Sequence, residues 1–191
     1  TCDEMQKIAQ EVSPLITAFS NDIALNEDLF KRVKAVYDQK DTLNLTTEQA
    51  TLLDKKFKGF SRNGALLNEE DKLKLREIDT ELAKIKLTFG ENVLAETNNY
   101  QLHITNEADL KGLPDGAKEM AATLAKSKNL EGWVFTLDFP SYLPFVTYVE
   151  NRELRKEIAI AAGKKSFQGN EFDNKENVKR IVELRHKRAN L

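Results

Sequence analysis

Five apolar residues, Leu75, Ile78, Leu82, Ile85 and Phe89, recur at steps of three and four. That spacing lays them on one face of an α-helix, and no strand can present them together. Val93 and Leu94 continue the row, so this segment predicts the longest helix of the chain. Asn68 suits the N-cap, and Glu69, Glu70 and Asp71 suit the positive end of the helix dipole. Only about three heptads are present, so a long bundle helix accounts for the repeat better than a coiled-coil seam. A chain of 191 residues around such a helix can bury a core. Its 29 Lys and Arg against 31 Asp and Glu leave a net charge of −2, which gives no drive toward nucleic acid. The longest uninterrupted apolar run covers residues 158–162, far short of the ~20 needed to cross a membrane.

Most of the remaining chain carries the same helical period. Met5, Ile8, Val12, Leu15 and Phe19 form one stripe, with Pro14 a possible kink. Leu29, Val33, Val36 and Tyr37 form another, over about 26–39. Thr46 and Gln49 make a capping box for a third helix, whose expected buried face is Ala50, Leu53, Phe57 and Phe60. The period changes to two at Tyr100, Leu102 and Ile104, and again at Trp133, Phe135, Leu137 and Phe139. These segments, about 99–104 and 132–138, are expected to pair. Between them 112–116 reads as a turn and 117–128 as a short helix. Pro140 and Ser141 end the second strand and start a helix; 151–163 and 174–190 complete the helical set, with a polar loop over 163–170. The fold class is therefore mainly α: a multi-helix bundle with one small two-stranded β element. Residues 1–191 read as a single helical region with a possible sub-boundary near 97–116. The chain starts at Thr1 without a Met and ends at Leu191 just past a running helix, so it is expected to be part of a longer protein.

The search for reactive chemistry yields no catalytic, cofactor-binding or metal-ligating residue. His103 and His186 stand 83 positions apart and belong to no His-x-x-x-His pair. His103 falls on the polar face of a strand; His186 sits between Arg185 and Lys187, whose charges oppose a metal ion. Cys2 lies in a first helical turn, where the dipole favours thiolate, but no His neighbours it. As the one cysteine, it also precludes an internal disulfide. Gly163-Lys164-Lys165-Ser166 lacks the upstream glycine and strand of a phosphate loop. Asn44-Leu45-Thr46 is a formal glycosylation sequon, better explained by the helix cap. Acidic pairs such as Glu69/Glu70 and Asp173/Glu176 have no apolar pocket to raise a carboxyl pKa.

Ordered punctuation carries more. Phe60-Ser61-Arg62-Asn63-Gly64-Ala65 precedes the long helix. Gly132, Trp133, Phe135, Leu137, Pro140, Ser141, Tyr142, Pro144 and Phe145 follow, then Tyr148 with Arg152, Glu153, Leu154 and Arg155, then Asp173-Asn174 and Leu184-Arg185 with Ala189. This series, over 26–191, resembles the N-terminal, non-catalytic portion of the thimet oligopeptidase family of zinc metallopeptidases, which includes oligopeptidase A and the bacterial peptidyl-dipeptidases. The resemblance implies a helical channel wall in a hydrolase of short peptides. It implies a zinc site on a His-Glu-x-x-His helix that this chain lacks, so zinc is expected in the parent and no peptidase activity in these 191 residues. The implied partners are short peptides and the rest of the same polypeptide. The implied location is cytoplasmic, or periplasmic if a signal peptide precedes residue 1. A self-contained helical interaction module is the competing reading, and a small carboxylate enzyme a third. A channel wall parted from its partner is expected to expose apolar surface.

Overall fold

The structure, a computed structural model, describes residues 2–191. Among the described residues there are eight α-helices, α1 (Asp3–Ala24), α2 (Glu27–Tyr37), α3 (Thr47–Arg62), α4 (Glu69–Asn99), α5 (Asp115–Ser127), α6 (Phe139–Tyr148), α7 (Arg152–Gly163) and α8 (Lys175–Ala189), and two short strands, β1 (Leu102–Ile104) and β2 (Trp133–Phe135). The chain divides into two compact units: residues 1–88 with 177–191, and residues 89–176.

In the first unit the helix starts follow their capping chemistry. Asn26 accepts from the Leu29 backbone N–H at 2.8 Å, Thr46 and Gln49 close the capping box, and Asn68 accepts from Asp71 N–H at 2.9 Å. Leu75 and Leu82 of α4 are buried, along with Leu25, Phe30 and Ala65. The side chain of Lys72 is buried too, and it donates to Glu27 at 2.7 Å and Glu69 at 2.8 Å. These bonds offset the desolvation of its charge. The Tyr37 and Phe57 rings stack at 3.9 Å between centroids, and Phe30 contacts Phe57 and Phe60.

One expectation about a buried face needs correction in this unit, and one apolar stripe faces away from it. No residue of α3 is buried; Leu53, Phe57 and Phe60 are half-covered and Ala50 is exposed, because α2 is the element packed against that face. The stripe on α1 is turned outward, with Leu15 69% and Phe19 65% exposed and Met5, Ile8 and Val12 exposed beside them. The covered side of α1 is instead its small and polar one: Ala9, Ser13, Thr17 and Ala24 are half-buried and Asn21 is buried.

The second unit centres on an antiparallel pairing of β1 with β2, with Leu102 opposite Phe135, His103 opposite Val134 and Ile104 opposite Trp133. Leu102, Ile104, Phe135, Leu137, Phe145 and Ile158 share one core, and the Phe135 and Phe145 rings lie 4.5 Å apart. Val134, on the other face of β2, is also buried, because α5 packs on that strand. The strands are shorter than their alternating patterns. β2 stops at Phe135 because the Thr136 N–H is taken by Ser141 Oγ at 3.0 Å and Thr136 Oγ1 bonds Asp138; such local bonds compete with the ladder. Phe139 consequently starts α6 and is exposed.

Gly132, just before β2, has φ +84°, and a Cβ there would run into the carbonyl oxygen of Ile104. Gly132→Ala is expected to cost more than the ~1–3 kcal/mol of positive-φ strain alone, read as a lowered denaturant midpoint with unchanged helical signal in the native baseline.

Candidate functional site

Residues of the sequence motifs occupy structural positions in both units. Gly64 turns the chain between α3 and α4 at φ +95°, and a Cβ there would strike the Leu75 side chain. In the second unit, Trp133, Phe135, Ser141 and Phe145 build the hairpin and its core, as described above. Asn151 caps α7 by accepting from Glu153 and Leu154 N–H, and its amide donates to Asp109 at 2.9 Å.

The most constrained polar cluster lies where the 164–174 loop meets the second unit's part of α4. Asn174 is fully buried. Its Nδ2 donates to the Phe89 carbonyl at 3.1 Å, its Oδ1 accepts from Asn92 at 2.9 Å, and its backbone N–H donates to Ser166 O at 2.8 Å. Nearby, Glu96 accepts from Gln168 at 2.7 Å and Asn170 at 2.8 Å. Backbone N–H groups of Lys175 and Gly169 hold the Asp173 carboxyl below the usual carboxylate range. Polarity alone reads 163–170 as a loop; the buried amide that fixes it is signalled only by the Asp173-Asn174 motif at the start of α8.

In the first unit α8 is tied to α4 by charge. Arg180 donates to both oxygens of Glu81, at 2.6 and 2.8 Å, and Arg188 Nε donates to Asp79 at 2.7 Å. The hydrogen bond from Arg180 holds the Glu81 carboxyl below the ordinary range. Burial, with a contribution from Glu157, pushes the Tyr100 phenol up to about 12. These shifts keep the carboxylates charged and the phenol neutral, and they place no such group near neutral pH for proton transfer.

Residues weighed as ligands or nucleophiles are dispersed. His103 is exposed on β1 and bonds the Glu131 carbonyl at 2.7 Å. His186 is exposed on α8 beside Asn190. Cys2 is exposed at the N-cap of α1. Among the described residues no three His, Cys, Asp or Glu side chains converge as a metal group would need, so the residues present do not fit zinc. Glu69 and Glu70 pair with Lys72 and Lys74, and Thr46 is a helix cap. No helix among the described residues is long and apolar enough to cross a membrane.

The arrangement can therefore pack, orient and present surface. No protein-family profile matches the chain, but individual relatives do. It is 33% identical to Oligopeptidase A of Escherichia coli (strain K12) over 98% of this chain and 28% of that protein. It is 33% identical to the Dipeptidyl carboxypeptidase of Salmonella typhimurium over 100% of this chain and 28% of that protein. With the organellar oligopeptidase A of Arabidopsis thaliana it shares 29% identity over 98% of this chain and 24% of the relative. Nearly the whole chain is thus similar to part of proteins of the thimet oligopeptidase family, and it spans just over a quarter of the length of the curated relatives it matches.

Two measurements test the polar anchors. Asn174→Ala leaves the Asn92 amide and the Phe89 carbonyl without this partner and is expected to cost about 2–3 kcal/mol, seen as a lower unfolding midpoint. Glu81 has a lower pKa folded than its ordinary value of 4.5. Its stabilisation is therefore present above that value and lost as pH falls through the folded pKa. The melting temperature should drop between about pH 5 and pH 3, and Glu81→Gln should shrink that drop.

Proposed function

We propose that the chain is the helical, non-catalytic part of a zinc-dependent oligopeptidase or peptidyl-dipeptidase. It forms part of one wall of the channel through which short peptides reach a zinc site carried outside this sequence. Alignment along nearly the whole chain with proteins named Oligopeptidase A and Dipeptidyl carboxypeptidase carries this reading. The β1–β2 hairpin edges the channel, and the wall selects peptides by size and extension while bond cleavage happens elsewhere. The partners are short peptides and the rest of the same polypeptide, and the parent works in the cytoplasm, or in the periplasm where a signal peptide leads it. The outward apolar stripe of α1 supports a covering partner, because contiguous apolar surface of this kind marks an interface.

The same stripe favours a second reading, a self-contained interaction module that associates through α1. Extending the protein through its downstream reading frame separates the two. The expected result is that the 191-residue chain leaves a quenched fluorogenic peptide intact with zinc present, while the extended protein cleaves it and a chelator stops it. A stop codon soon after Leu191, or an inert extended protein, would refute the peptidase reading. Leu15→Gln with Phe19→Gln gives an independent check. It should destabilise the extended protein if the polypeptide covers α1, and should only convert an oligomer to monomer if α1 is a module's contact.

A further inference from the structure

A second feature of the inverted helix α1 points to a ligand site. Its polar side, with α4 and α8, lines a cleft of about 530 Å³ wholly within the first unit. That volume is in the usual range for small-molecule sites, ~300–1,000 Å³. Asn21 lines the cleft, is 7% exposed, and its Nδ2 has no hydrogen-bond partner. A buried unpaired amide is costly to the fold, so a group that can accept from it is the missing component.

The charges of the cleft specify that group. Lys86, Arg185 and Arg188 line it with a single carboxylate, Asp79. Asp79 is already taken by Arg188 Nε at 2.7 Å, and Arg188 Nη2 is further occupied by Asn63 at 3.3 Å. Lys86 and Arg185 are exposed and have no ion-pair partner among the described residues. The cleft therefore holds two uncompensated cations and an orphan N–H donor. Ile16 and Leu82 add an apolar wall, which a fully hydrated inorganic ion would not use.

We propose that this cleft binds an organic monocarboxylate: the carboxylate lies between Arg185 and Lys86, an oxygen accepts from Asn21 Nδ2, and the apolar body rests against Leu82 and Ile16. A free small acid and the C-terminal carboxylate of a peptide carry the same chemistry. The proposal is independent of the peptidase reading, since it uses only contacts inside the first unit.

The test is titration of the isotope-labelled chain with N-acetyl-leucine, followed by backbone amide NMR. Shifts are expected at Thr17, Ser20, Asn21 and Ala83. N-acetyl-leucinamide and inorganic phosphate should move them little. Comparing N-acetyl-Ala-Ala-Leu with N-acetyl-leucine shows whether a peptide terminus or a free acid binds tighter. Arg185→Gln with Lys86→Gln should weaken binding about tenfold or more, the scale of a lost charge-assisted hydrogen bond. Asn21→Leu should hold or raise the melting temperature, because it removes an unpaired amide, and yet weaken the ligand. Equal shifts with the carboxamide, or unchanged affinity in the double variant, would overturn the assignment.

Discussion

A helix of 31 residues takes most of its stability from what covers it, since helical propensity alone is marginal in water. The order of α4 is therefore the constraint on which both units rest. In the first unit its apolar row supplies Leu75 and Leu82 to the core, and its charged rows are claimed by partners far away in sequence. Lys72 is held by Glu27, Arg76 by Asp22, Glu81 by Arg180 and Asp79 by Arg188. Most of these pairs are partly exposed, so each contributes modestly; their value lies in register. A helix that meets its neighbours through matched charges at fixed heights cannot slide by a turn without breaking several pairs together.

The second unit solves the same problem with buried amides. Phe89, Asn92 and Glu96 lie on one side of the last turns of α4, and together they grip the 164–174 loop through Asn174, Gln168 and Asn170. A loop with few apolar residues is thereby fixed by directional bonds. Ser166, at φ +55° and 1% exposed, shows how tightly the chain is turned there.

How far the fold was legible depends on whether local chemistry or long-range covering decided each feature. The caps at Thr46 and Asn68 and the pairing of the two alternating segments follow from rules that operate within a few residues, and all appear. The exposed face of α1 could not be read this way. An apolar stripe at Met5, Ile8, Val12, Leu15 and Phe19 ordinarily marks the inward side of a helix. Which side is covered depends on what else is present, and that is not a property of the helix. Val134 illustrates the converse: alternation puts it on the polar face of β2, but α5 buries it. Of the candidate site, that His103 and His186 share no local motif was readable from their spacing. The cleft beside Asn21 was not, because its residues come from positions 16–24, 63, 79–86 and 185–188, and nothing in their spacing links them.

The division into units also bears on how the molecule is made. Residues 89–176 are contiguous, so every contact of the second unit becomes available once Glu176 has left the ribosome. The first unit must wait for residues 177–191, because the pairs Arg180–Glu81 and Arg188–Asp79 close over 99 and 109 residues. Domains emerge and fold in order of synthesis. Here that order is inverted within one chain: the half that is translated first is the last to be completed, because Glu81 and Asp79 of α4 wait for Arg180 and Arg188 until α8 arrives.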